Sequence, residues 1–185
     1  GLLVTGGKHS YGSGGYHKSP LDEALPVSME MRSKTRKMSI AIAVVLDRSG
    51  SMSMNVRGRT KMDLANLAAA SSLDLLMDDD EFGVFAVDTT PHLIVPLQHV
   101  KSKEKWRNDI LSIRSQGGGI FVYEGIKAAV EMLKKSESMT RHIILFSDAC
   151  DSEQPGTYWS LLDEAEKEGM TLSVIGLGKE TDSDG

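Results

Sequence analysis

At 185 residues the chain has room for one domain and an appendage, and its 40% hydrophobic and 25% charged residues are those of an ordinary globular protein. A formal net charge of −5 supplies no basic face for nucleic acid, and no apolar run approaches the roughly 20 residues that span a bilayer. Cys150 is the single cysteine, which excludes an internal disulfide and a cysteine-built metal site.

Residues 1–37 differ in character from residues 38–185, and the expected division is a linker or tail of an upstream domain followed by one α/β domain. Leu2-Leu3-Val4-Thr5 has the makings of a short strand. The glycine-rich run from Tyr11 to Tyr16 lacks both G-x-G-x-x-G spacing and a following Gly-Lys-Ser/Thr, so it reads as a plain loop. Ser19-Pro20 predicts the start of a short helix that Pro26 closes. Arg32, Lys34, Arg36 and Lys37 then mark an exposed linker or edge strand. The opening residues read as mid-protein sequence with no signal peptide, which predicts a part of a longer protein.

From Ile40 to Leu46 seven apolar residues run without a break, the signature of a strand buried on both faces. The run stops at Asp47, followed by Ser49 and Ser51 at alternate positions with Gly50 between them. In open α/β sheets ligands bind at the carboxyl ends of strands. A carboxylate and two hydroxyls there form a hard, oxygen-only set suited to Mg²⁺ or Mn²⁺. The same residues also suit an Asx-turn with solvated serines.

A helix is expected from Thr60 to about Met77, apolar nearly all round and so well buried. Asp78 to Glu81 reads as a solvated turn. Phe82 to Val87 is a second buried strand ending in Asp88, a turn former with Thr89 and Thr90. His92 to Leu97 follows too closely for a parallel crossover, so the two strands should form an antiparallel hairpin, with Pro96 placing the later one at the sheet edge. His92 is expected to face solvent. Ser102 is the expected cap of a helix buried through Trp106, Ile110 and Ile113. After the loop Gln116 to Gly119, a helix presents Val122, Ile126, Ala129, Val130 and Leu133 on one face. His142 to Ser147 is a fourth strand ending in Asp148. Asp148 could equally be a plain strand-end turn former. Cys150 lies between carboxylates, which raise a thiol's pKa, and lacks a nucleophile elbow, so it argues for no catalytic role. A helix striped by Tyr158, Leu161, Leu162 and Ala165 stops at Gly169, and Thr171 to Ile175 is the fifth strand. Alternating strands and helices predict an α/β, Rossmann-like three-layer sandwich, its sheet mostly parallel with one antiparallel edge strand. Asp47 and Asp148 should then meet at one rim, where the strand order reverses.

The stretch Asp47-Arg48-Ser49-Gly50-Ser51 resembles the D-x-S-x-S motif of the von Willebrand factor type A family, and the resemblance runs from about Ser39 to the end of the chain. It implies a metal-ion-dependent adhesion site in which Asp47, Ser49, Ser51 and Asp148 hold Mg²⁺ or Mn²⁺. "IILFSDACD" is similar to the family's "IILLTDG" around Asp148. The family's second loop carries a threonine ligand in a G-G-T-x-I-Y pattern, and here the departing position is Ile120, or Gly119 after a one-residue slip. The family usually adds a helix and a strand after the fifth strand, so the chain is expected to be truncated at its C-terminus. Gly6 to Val27 resembles the tail of a glutamine-amidotransferase-like domain that precedes such modules in some bacterial membrane-associated proteins. No amidotransferase activity follows from it. Membrane contact, if the parent has any, would come through parts absent here.

The resemblance implies a non-enzymatic protein-interaction module whose bound cation keeps an open position for an Asp or Glu of a protein partner. Ile120 supports a different reading, a metal-free scaffold. A Mg²⁺-dependent hydrolase on a Rossmann-like scaffold is a third, but the chain has no P-loop and no nucleophile elbow. Because Asp47 ends a strand, its removal is expected to abolish metal binding and leave the fold intact.

Overall fold

The computed structural model describes Pro20 and residues 39–116, 118–119, 121–148 and 157–177. The chain groups into two units, Gly1–Lys37 and Met38–Gly185, and the second holds all but one of the described residues. The features expected in residues 1–37 other than Pro20, including the amidotransferase-like stretch, lie outside the described residues, as do Ile120 and Cys150.

β1 (Ile40–Asp47) is buried from Ala41 to Asp47, as an apolar run without polar alternation requires. A 3₁₀ turn (Gly50–Ser53) and two short strands, β2 (Asn55–Val56) and β3 (Arg59–Thr60), lead into helix α1 (Lys61–Asp74). Then come β4 (Glu81–Val87), β5 (Pro91–His99), α2 (Lys103–Leu111), α3 (Val122–Leu133), β6 (Thr140–Ser147), α4 (Tyr158–Lys167) and β7 (Met170–Gly176). The sheet order is β5-β4-β1-β6-β7, with every pair parallel except β4–β5. β5 is therefore the antiparallel edge strand, where the missing N–H of Pro96 costs no interior ladder bond.

Side-chain alternation along β1 sorts the core into two layers. Ile42, Val44 and Leu46 pack with Met62, Ala65, Ala69 and Leu73 of α1 and with Trp106 and Ile110 of α2. Ala41, Ala43 and Val45 pack on the other face with Ile126, Ala129 and Leu133 of α3 and with Leu161 and Ala165 of α4. The result is the three-layer α/β sandwich that the alternation of elements implied.

Several local expectations change. α1 ends at Asp74, and its burial is one-sided: Leu64, Leu67 and Ala68 are only half-buried and Leu75 is 84% exposed. The face carrying Met62, Ala65, Ala69 and Leu73 meets the sheet. Ser102 makes no side-chain cap to α2; its carbonyl accepts from the Trp106 N–H at 3.1 Å. The acidic turn is not simply solvated. Asp80 accepts the N–H groups of Ile40 (3.1 Å) and Met77 (2.7 Å). Glu81 accepts the hydroxyls of Ser136 and Ser138, the latter at 3.0 Å.

The β2–β3 hairpin was not expected from sequence. Its two-residue loop is Arg57-Gly58, with φ of 50° and 89°. Positive φ at both central residues is the conformation of tight hairpin turns whose twist matches the flanking strands. Gly58 adopts it freely, whereas Arg57 is held there by the ladder on either side.

Candidate metal centre

The switch point lies between β1 and β6, because the chain leaves β1 for β4 on one side and later returns to β6 on the other. Asp47 closes β1 and Asp148 follows β6, so register alone brings both to one rim. Asp47 is fully buried. Its Oδ1 accepts the Ser49 N–H at 2.8 Å, and its Oδ2 accepts the Ser147 hydroxyl at 2.9 Å. The Ser49 and Ser51 hydroxyls share a hydrogen bond at 3.0 Å, and Ser51 Oγ donates to Asp148 Oδ1 at 2.7 Å. Ser49, Ser51 and Asp148 thus form one run of oxygen groups, to which Asp47 is joined through the Ser49 N–H.

The loop that carries them is fastened from two directions. Its Arg48 N–H donates to the Val87 carbonyl at 2.9 Å. The Ser115 hydroxyl donates to the Ser49 carbonyl at 2.7 Å, and the Gln116 N–H to the Arg48 carbonyl at 2.9 Å. From α1, the Asn66 amide donates to the Ile113 carbonyl at 2.9 Å and fixes the incoming end of that second loop.

Asp88 does more than form a turn. It accepts the Thr90 N–H at 3.1 Å, and it also takes Arg48 Nε at 2.8 Å and His92 Nε2 at 3.0 Å. The Arg48 guanidinium reaches on to Gln116 Oε1 at 2.8 Å. His92, expected to face solvent, is half-exposed but spoken for by Asp88 and by Thr90 Oγ1 at 3.3 Å. Burial pushes the Asp88 carboxyl up. The hydrogen bonds from His92, Arg48 and the Thr90 N–H outweigh that and hold it well below the usual carboxylate range. Depression of the folded-state pKa means the contribution is complete above the unfolded value of about 4 and fades as pH falls below it. The expected result is a melting temperature that drops between about pH 5 and pH 2 less steeply in Asp88→Asn than in the parent.

The sequence reading missed Lys61. Its ammonium donates to Asp148 Oδ2 at 2.6 Å, and the two side chains are only 9% and 1% exposed. A clue was available: a lysine at the first residue of a helix faces the positive end of the helix dipole, so it calls for an anionic partner.

The donor set fits a small hard cation. Octahedral Mg²⁺ binds oxygen at about 2.1 Å, which spaces neighbouring ligands about 3 Å apart. The Ser49–Ser51 and Ser51–Asp148 separations of 3.0 and 2.7 Å are of that size. Among the described residues no group of three or more histidine, cysteine or carboxylate side chains is arranged to hold a metal, so the hydroxyls are essential to any such reading.

A model of the von Willebrand factor type A domain matches residues 42–151, which run from within β1 past Asp148. Calcium-activated chloride channel regulator 1 from Bos taurus is 25% identical over 164 residues, covering 86% of this chain but only 17% of that protein. Among solved structures, the conserved hypothetical protein BatB from Bacteroides thetaiotaomicron superposes with a TM-score of 0.66 at 20% identity, over 75% of this chain and 66% of that one. A von Willebrand factor type A structure from Catenulispora acidiphila gives 0.63 at 22% identity, over 75% of this chain and 33% of that one. At such identities the superpositions speak for the fold alone. The family match covers the strand, the serine loop and the second carboxylate together, and on it the chain belongs to the von Willebrand factor type A domain family.

Proposed function

We propose that this domain captures a carboxylate of a protein partner through a divalent cation held at the β1–β6 rim. Domains of its family are generally protein-interaction modules and typically not enzymes. The observation that supports the metal-dependent form is the unbroken run from Ser49 Oγ through Ser51 Oγ to Asp148 Oδ1, braced from below by Asp47. Ser49, Ser51 and Asp148 would hold Mg²⁺ or Mn²⁺, with Asp47 orienting the loop and adding charge. When bound, the cation would offer an open coordination position to an oxygen of an incoming Asp or Glu, with Asp47 and Asp148 balancing its charge from the protein side. The chain's own part is to keep those oxygens facing one point, and Ser115, Gln116 and Asp88 do this by fixing the loop backbone or its Arg48.

Isothermal calorimetry with Mg²⁺ and Mn²⁺ tests the reading. Ser51 touches both neighbouring oxygens and is only half-buried. Ser51→Ala is therefore expected to bind at least roughly tenfold more weakly, since affinity follows ligand number, with little loss of fold. Equal affinity in parent and Ser51→Ala would place the cation elsewhere. If neither cation binds, the metal-free scaffold becomes the function of the protein as it stands.

A further inference from the structure

Lys61 is costly where it stands. Burying an ammonium at the start of α1 opposes both its hydration and the helix dipole. Yet the local structure fixes it there. Thr60 and Asp63 form a reciprocal capping box at the start of α1, with the Asp63 N–H donating to Thr60 Oγ1 at 3.0 Å and the Thr60 N–H to Asp63 Oδ2 at 3.2 Å. The Lys61 N–H donates to the Met54 carbonyl at 3.0 Å, on the far side of the β2–β3 hairpin. Held this way, the side chain reaches Asp148 Oδ2 while Ser51 occupies Asp148 Oδ1.

We propose that Lys61 is an internal counter-ion: it holds Asp148 when no metal is bound, yields it to an arriving divalent cation, and so sets the affinity of the site. This rests on the metal reading above. Asp47 and Asp148 bring two negative charges and Lys61 one positive charge. A divalent cation alone would neutralise the two carboxylates. A divalent cation beside a retained ammonium would leave an excess positive charge in a buried place, with one carboxylate shared between two cations. The four-carbon lysine arm is flexible enough to carry its ammonium out to water. Arg48, the cation within the serine loop, is tied to Asp88 and Gln116 and does not compete for Asp148.

Two measurements on the whole 185-residue protein decide it. The first is Mn²⁺ affinity by calorimetry, with metal-free melting temperature, for the parent, Lys61→Met and Lys61→Gln. The second is the rate of Lys61 acetylation in the parent, followed by mass spectrometry with and without saturating Mn²⁺. Expected are at least roughly tenfold tighter Mn²⁺ binding in Lys61→Met with a lower metal-free melting temperature, and an acetylation rate that rises several-fold with Mn²⁺. Binding seen only in the Lys61 variants overturns the yielding step: Lys61 then locks Asp148, and the parent is the metal-free scaffold. A parent that binds Mn²⁺, with variants that bind no tighter or Lys61 acetylation that Mn²⁺ leaves unchanged, overturns the counter-ion and spares the metal site. No binding in any of the three proteins overturns both. If the variants do not fold, the acetylation rates in the parent decide alone.

Discussion

Asp47→Ala is expected to destabilise the domain by about 3 kcal/mol, measured by urea unfolding without added metal. At the end of a strand such a change can be harmless, and the sequence alone suggested so. The structure argues for a larger cost, because Asp47 is fully buried and each of its oxygens has a protein donor. Removing it deprives the Ser49 N–H and the Ser147 hydroxyl of that acceptor, and an unsatisfied buried donor costs about 1–3 kcal/mol. Relief of carboxylate desolvation offsets part of this, but the two lost bonds outweigh it. Asp47→Asn keeps its oxygen as acceptor for the Ser49 N–H and turns an NH2 toward the Ser147 hydroxyl, which can accept from it, so it should lose only about 1 kcal/mol. The asparagine variant is thus the better probe of metal affinity, since the alanine variant mixes lost charge with a loosened loop.

Gly125→Val is the second large effect, expected to cost roughly 3 kcal/mol in the same assay, the upper range for overpacking. Gly125 lies in α3 against the sheet. A Cβ there would sit 2.8 Å from Val87 Cγ2 and 2.9 Å from Val45 Cγ1. Both valines belong to interior strands and have short, branched side chains with nowhere to retreat. A non-glycine residue would itself favour the helix by at most about 1 kcal/mol, too little to compensate. The helix must therefore back away from β1 and β4. Its N-terminal neighbour Phe121 donates its N–H to the Asp88 carbonyl at 3.0 Å, so the displacement would also loosen the second loop of the site.

The strands were legible because their burial leaves no polar residue inside the run: Ile40 to Leu46 and Phe82 to Val87 carry their own boundaries in Asp47 and Asp88. Asp47 and Asp148 were legible for the same reason, each standing where a buried strand must end. α1 was harder. Its apolar residues surround the helix, and only tertiary placement decides that Ala65 faces the sheet while Leu67 stays half-buried. The Arg57-Gly58 turn gave one weak signal, a glycine, while its arginine disguised the second positive-φ position. Lys61 gave only the clue of its place at a helix start; the identity of its partner, 87 residues away, lies outside any local pattern. Asp88 was read correctly as a turn former with Thr89 and Thr90, but its hold on Arg48 depends on two loops meeting across the sheet rim.

The central position of β1 has a kinetic consequence. The first strand of the domain is completed only by β4 and then by β6, where Ile40 pairs with Thr140 far along the chain. Such topologies order slowly, because the entropy of closing long loops is spent before the contacts form. The two halves of the site, Ser51 and Asp148, stand 97 residues apart in sequence and touch only when β6 has docked. A nascent chain that has not yet reached Thr140 holds the entire serine motif but not the Ser51–Asp148 contact. On the proposed reading, binding competence arrives with the docking of β6, before β7 completes the sheet, and a partner that recognises the rim would report that β1 and β6 have paired.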